Sequence, residues 1–219
     1  MNAALAGMII LVIGDSHMVT RDGLLTFLHE GLESEGAVVH SFGMCGASAG
    51  DWMYQTVIAC GRGEHHDKAQ PVVVKGQQVP TWNINALIDQ VHPNLVIVES
   101  ADAMAAYGQA ELPKAWIYNQ VHALTTRIKA RSVPCVWVGP IWGNEAPPMQ
   151  KTVARVKEMA QFLSQSVSPC TFIDSTGAAK PGELTAPDGE HLTASGYRVW
   201  GTYVAGQIVR LKSQNAWKP

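Results

Sequence analysis

Apolar residues in this chain fall in short unbroken runs, with longer amphipathic stretches between them. Met8–Ile13 (MIILVI) has no polar break, the pattern of a strand buried on both faces. Ala37–Ser41, Leu95–Glu99, Val133–Val138 and Thr171–Ile173 read as four further strands. Helical spacing fills the intervals: Thr20–Glu33, with Leu24, Leu25 and Leu28 on one face, then Asn83–Val91, Pro113–Arg131, Met149–Ser166 and Thr193–Leu211. A further helix is expected from Trp52, capped by Asp51. Strands alternating with helices imply right-handed crossovers and a largely parallel sheet. The expectation is therefore an α/β fold in one domain over 1–219: a flavodoxin-like three-layer α/β/α sandwich with a mostly parallel five-stranded sheet. Residues 61–81 break the rhythm. GRGEHHDKAQP is polar and turn-like, and VVVKGQQVP suggests a small hairpin about a Lys-Gly turn, so this insertion is expected to lie outside the main sheet.

Composition narrows the classes. With 47% hydrophobic and 16% charged residues in 219, the chain is globular. A formal net charge of −2 gives no basic footprint for nucleic acid and no polybasic segment for a membrane surface. The longest apolar stretch, from Ala3 to Gly14, is too short for a transmembrane segment. Residues 1–7 lack a basic region, so a complete signal peptide is not expected, and periplasmic, secreted and cytoplasmic locations all stay open. The four cysteines fit no C-x-x-C spacing. Cys135 and Cys170 lie in apolar runs and read as buried free thiols. Cys45 and Cys60 flank the helix expected at Trp52, and can pair if the protein is exported. Glu64-His65-His66-Asp67 has no partner set to complete a metal site and reads as a solvated loop. No metal or organic cofactor is expected, and the oligomeric state is left open.

In parallel α/β sheets ligands bind beyond the carboxyl ends of the strands. Three segments there carry chemistry. Gly14-Asp15-Ser16-His17 follows the first strand, and a serine at such a turn can offer both a nucleophilic hydroxyl and a backbone N–H. Asp188-Gly189-Glu190-His191 precedes the last helix. An Asp three residues before a His can hold one ring nitrogen and leave the other to take a proton from a serine. Phe42–Ser48 (FGMCGAS) follows the second strand, and its glycines allow close backbone approach to a substrate.

Together these blocks resemble the SGNH hydrolase family, the GDSL-type esterases and lipases. The resemblance runs from Gly14 to Tyr197. Gly14-Asp15-Ser16 matches the first block and implies Ser16 as nucleophile. Gly46 matches the second-block glycine, whose N–H helps form the oxyanion hole with that of Ser16. Asp188 and His191 match the last block as orienter and general base. Val136–Pro140 (VWVGP) resembles the Gly-Pro that many members carry after the fourth strand. One block departs. The family's third-block asparagine, which donates to the oxyanion, falls on Ala103 or, with a shift of one, on Asp102. Neither side chain supplies that donor when the aspartate is ionised. Asn144 or Ser100 are candidate substitutes, while His17, Trp52 and Trp142 are candidate substrate contacts. The resemblance implies hydrolysis of small acyl esters, with acetyl groups on carbohydrate as the first expectation. A weakened, glycan-binding member and an O-acetyltransferase with the same triad are the alternatives.

Overall fold

A computed structural model describes residues 3–217. Met1 and Asn2, part of the segment read above as lacking a leader, lie outside it. In chain order the elements are β1 (Ile9–Gly14), α1 (Leu24–Ser34), β2 (Val38–Met44), β3 (Val57–Ile58), β4 (Gly61–His66), β5 (Val72–Lys75), β6 (Val79–Pro80), α2 (Ile84–Val91), β7 (Leu95–Glu99), α3 (Lys114–Ala130), β8 (Cys135–Val138), α4 (Val153–Ser166), β9 (Thr171–Ile173) and α5 (Ala194–Ser213).

The apolar runs form strands because both of their faces are covered. Leu11 and Ile13 of β1 point into a layer with α2, α3 and α4, where Ile88, Val121 and Leu163 meet them. Ile10 and Val12 point the other way, onto α1 and α5, among Leu28, Trp200 and Val204. The core is thus two apolar layers separated by the sheet. The sheet order is β5-β4-β2-β1-β7-β8-β9. The five strands expected from the sequence are its parallel part, with β1 central between β2 and β7. Their carboxyl ends share one edge, and that edge carries the chemistry.

The sheet has seven strands rather than five because the 61–81 insertion joins it. β4 runs antiparallel to β2, and β5 antiparallel to β4. β2 would otherwise present an unpaired row of N–H and C=O groups, which the insertion covers. Its alternation is hard to see in sequence because the buried positions of β4 are Gly61, Gly63 and His65, not aliphatics. For the same reason Glu64–Asp67 is not a solvated loop: His65 is buried and stacks on His29 with ring centroids 3.6 Å apart. The expected VVVKGQQVP hairpin does not form either. β5 pairs with β4, whereas β6 pairs with β3 in a separate two-stranded sheet. At Trp52 there is only a short 3-10 turn, Ala49–Met53, capped by Ser48 and not by Asp51. Asp51 instead accepts from the Ser48 backbone N–H at 2.8 Å, closing the box.

All four cysteines are paired. Cys45–Cys60 joins the end of β2 to the start of β4, with Cα atoms 5.5 Å apart. Cys135–Cys170 corrects the expectation of two free thiols. The β8/β9 register sets Val136 beside Thr171, which brings the preceding residues, Cys135 and Cys170, to a Cα separation of 4.6 Å. Closing a loop with a sequence separation of 35 stabilises the fold by roughly 3–4 kcal/mol.

His29 links α1 to this edge of the sheet. Its Nε2 donates to the Asp67 carbonyl at 3.0 Å, so Nδ1 accepts from the Ser41 hydroxyl at 2.8 Å, and the ring is neutral. Burial, then the neighbouring His65, lower its pKa from 6.5 to about 3. The unfolded chain therefore takes up a proton below about pH 6.5 that the folded state refuses. This contribution is full above that pH and is lost as pH falls toward 3. Urea unfolding should show wild type losing about 1–2 kcal/mol more between pH 7 and pH 5 than His29→Gln. Equal losses in the two proteins would contradict this assignment.

Candidate active site

The loop after β1 is built so that only glycine fits at position 14. A Cβ there would lie 2.5 Å from the Met18 side chain and 2.9 Å from the Glu99 carbonyl oxygen. Asp15 follows, fully buried, and fixes the turn with each carboxylate oxygen. Oδ1 accepts from the His17 N–H at 3.2 Å and Oδ2 from the Ala103 N–H at 3.2 Å, while the Asp15 N–H donates to the Glu99 carbonyl at 3.0 Å. Ser16 is thereby held at the sheet edge as the first residue of a 3-10 turn, Ser16–Met18.

The loop before α5 meets it. Asp188 Oδ1 accepts from the N–H groups of Glu190 and His191 at 2.9 and 2.8 Å, which curls the loop back on itself. Asp188 Oδ2 lies 2.7 Å from His191 Nδ1, and His191 Nε2 lies 2.8 Å from Ser16 Oγ. Partial burial opposes the Asp188 charge, but those two N–H groups and His191 hold its carboxyl below the usual range. Its ionised form fixes the proton on Nδ1, so Nε2 is free to accept from the Ser16 hydroxyl. The arrangement can deprotonate Ser16 as it attacks and return the proton to a leaving group.

Gly46 has φ +70°, where other residues are strained, and Cys45 beside it is anchored by a backbone bond to Gly61 and by the disulfide. The N–H groups of Ser16 and Gly46 enter no hydrogen bond among the described residues. Both are unspent donors beside the serine. Two chambers flank Ser16 and His191. One, of about 460 Å³, is walled by Val19, Thr20, Lys75, Leu192 and Tyr197. The other, of about 370 Å³, is walled by Gly46, Ala103, Ala106, Tyr107, Met149 and Glu190.

The remaining sequence candidates lie elsewhere. Trp52 is fully buried in the core under α3, and Trp142 is buried with its indole N–H on the carbonyls of Thr176 and Ala179. Neither is available to stack on a sugar. Asn144 spends its side chain on backbone groups, donating to the Ala186 carbonyl in the loop before α5 at 2.7 Å and accepting from the Ala146 N–H at 2.9 Å. Ser100 is buried and donates toward the Ala47 carbonyl. Neither lines the chambers beside Ser16. His17 is fully buried as well, so it is not a substrate contact; its ring bridges Tyr197 Oη at 2.8 Å and Asp102 Oδ2 at 2.7 Å.

Beneath Ser16 lies a cluster that the sequence did not announce. Asp102 Oδ2 also pairs with Lys151, a lysine with 1% exposure, and Tyr107 donates to Asp102 Oδ1 at 2.5 Å. Burial alone would raise the Asp102 pKa, but Lys151 and His17 hold it far below the ordinary value. Glu99 is the opposite case: burial, then Asp15, push it well above the carboxylate range, and neither of its oxygens has a partner. His17 with Asp102 and Glu190, or with Asp15 and Glu99, brings metal-ligating atoms within 4.8 Å of one another. The donor sets do not suit a metal, since both nitrogens of His17 are engaged and Lys151 occupies Asp102. Of this cluster, Asp15, His17, Asp102 and Glu190 lie in or beside the sequence motifs; nothing marks Lys151.

No family model matches the chain. It is 41% identical over 202 residues to Protein BcsX of Komagataeibacter xylinus, covering 92% of this chain and 76% of that protein. The chain belongs to the BcsX family. Among solved structures it resembles a GDSL-like lipase from Bacteroides thetaiotaomicron, with TM-score 0.57, 13% identity and coverage of 95% and 93% of the two chains. An acetylxylan esterase from Geobacillus stearothermophilus gives 0.57 at 15% identity, covering 94% of each chain. The psychrotrophic esterase EstA from Pseudoalteromonas gives 0.56 at 15%, covering 94% of this chain and 98% of its own. The fold of this BcsX relative is that of the SGNH hydrolases.

The Asp102–Lys151 pair yields a stability prediction. Breaking a buried ion pair on one side leaves the other charge uncompensated, which costs about 3–5 kcal/mol. Lys151→Met should lower unfolding stability by that amount in denaturant titrations, and adding Asp102→Ala should recover part of it. A loss below about 1 kcal/mol would contradict the pairing.

Proposed function

We propose that this protein is a serine esterase that hydrolyses small acyl esters, acetyl esters first among them. The observation that carries the reading is the continuous chain from Ser16 Oγ through His191 to Asp188, at 2.8 and 2.7 Å, on the carboxyl edge of a parallel sheet. Ser16 attacks the ester carbonyl while its proton passes to His191 Nε2, with Asp188 stabilising the imidazolium. The carbonyl oxygen becomes an oxyanion facing the N–H groups of Ser16 and Gly46. Collapse expels the alcohol, which takes the proton from His191, and leaves an acyl-Ser16 ester. Water, activated by His191, then releases the acid.

Two chambers on either side of Ser16 suit an ester, with the acyl part beside Gly46 and the alcohol on the Lys75 side. The 61–81 insertion contributes Lys75 and Gly76 to the alcohol side, so it shapes access. For acetyl groups on carbohydrate, the support is the fold shared with an acetylxylan esterase and the open alcohol chamber. The buried Trp52 and Trp142 no longer contribute to it. The same triad can pass the acyl group to a sugar hydroxyl in place of water. The two disulfides favour an oxidising compartment. No helix among the described residues is long and apolar enough to cross a membrane.

One observation favours a second reading, a glycan-binding member with reduced turnover: the methyl group of Ala103 lines the chamber where the family's asparagine would donate. Hydrolysis of p-nitrophenyl acetate separates the two. The esterase reading expects Ser16→Ala to lower kcat/KM by at least about 10³-fold with the fold intact. Equal, near-zero turnover in both proteins supports the binding reading.

A further inference from the structure

If the site is an esterase, as proposed above, its oxyanion corner holds two backbone donors and a methyl group where a third donor belongs. Losing such a donor typically costs ~10²–10³ in turnover. Among the side chains walling that chamber, Ala103, Ala106 and Met149 offer no hydrogen. Tyr107 has one, but its hydroxyl donates to Asp102 Oδ1. Asp102 is an acceptor already engaged by Lys151, His17 and Tyr107. Glu190 is what remains.

Glu190 has the properties of an unspent group. It is 2% exposed, enters no ion pair among the described residues, and its Oε2 is buried without a hydrogen-bond partner. Its backbone N–H is clasped by Asp188, so the side chain is carried on the same rigid turn as His191. A buried carboxylate without a hydrogen-bond partner is disfavoured; the neutral acid is tolerated and gains a hydrogen to donate.

We propose that Glu190, as a neutral carboxylic acid, is the third oxyanion-hole donor of this enzyme, replacing the group that Ala103 lacks. The acid hydrogen-bonds to the carbonyl oxygen of the ester and strengthens that bond as the oxygen becomes negative. No proton is transferred, so the triad chemistry is unchanged. The electrostatics agree: burial, then the charge of Asp102, push the Glu190 pKa up from 4.5 to about 7. His17 and Lys151 act against that rise, and Asp15 with it. The other charged groups near it, Asp188 and His191, lie on its own turn.

The proposal demands an activity that fails on the alkaline side, because ionised Glu190 cannot donate and repels the oxyanion. The test is the pH profile of kcat/KM for p-nitrophenyl acetate from pH 5 to 9.5. The proteins compared are wild type, Ser16→Ala, Glu190→Gln, Glu190→Leu and the double variant Glu190→Leu/Ala103→Asn. Wild type should fall at least about tenfold between pH 7 and 9. Glu190→Gln, whose amide donates at every pH, should lack that alkaline limb. Glu190→Leu should lose about 10²-fold in kcat with little change in KM, and Ala103→Asn should restore at least tenfold of it. A purely structural glutamate would give neither the altered profile nor the rescue. A wild-type alkaline limb shared by Glu190→Gln, or a Glu190→Leu variant at full activity, overturns the proposal while Ser16-dependent turnover leaves the esterase reading standing. Absence of Ser16-dependent turnover in wild type overturns both.

Discussion

Asp15 is the residue on which the geometry of this site depends. It sits without solvent contact at the end of the central strand, and its side chain ties two loops together. One oxygen holds the turn that presents Ser16, the other the backbone of Ala103 after β7. Its own N–H pairs with Glu99. A carboxylate that receives only backbone donors acts as a rigid bracket, and the serine's position relative to the loop after β7 follows from it. The partner loop is curled by the same device: Asp188 accepts two backbone N–H groups before it reaches His191. Aspartate-bracketed turns on separate loops thus bring the serine and the histidine to 2.8 Å.

Such bracketing puts acids where water is excluded. Asp15, Glu99, Asp102 and Glu190 are all buried within one cluster, facing His17 and Lys151 as the basic groups. Not all of the acids can be charged together. Lys151, His17 and Tyr107 converge on Asp102, so the negative charge settles there. Glu99 and Glu190, which lack partners, are pushed toward their neutral forms. Ala103 brings a methyl group to the wall of the chamber beside Ser16. Its neighbour Asp102 turns inward as the acceptor of a buried ion pair, and its charge favours the neutral form of the acid on the opposite wall.

Much of the fold was legible because its strands are buried on both faces, and continuous apolar runs such as MIILVI have few other uses. β7 and β9 match their expected bounds, and Ser16, Asp188 and His191 were visible as motif residues at strand and helix ends. What was illegible has physical causes. β4 hid because Gly63 presses against the loop after β1, Gly61 against β5, and a histidine stacks on a histidine, so its buried face carries no aliphatic signal. The Cys135–Cys170 bond depends on the register of two strands whose cysteines are 35 positions apart, and spacing does not encode register. Trp52 and Trp142 looked like sugar platforms but fill core space. Lys151 carries no pattern because its partner is 49 residues away.

The 41% identity to Protein BcsX settles membership of that family, and the solved relatives at 13–15% identity settle the fold. The reaction rests on the geometry at Ser16, which mass spectrometry can interrogate without knowledge of the natural ester. Brief exposure to a fluorophosphonate, followed by intact-mass and peptide mapping, reports which side chain is nucleophilic. A single adduct on the peptide bearing Ser16, absent in His191→Ala under the same exposure, is the expected result. An unmodified wild-type protein, or an adduct on another residue, would contradict the account.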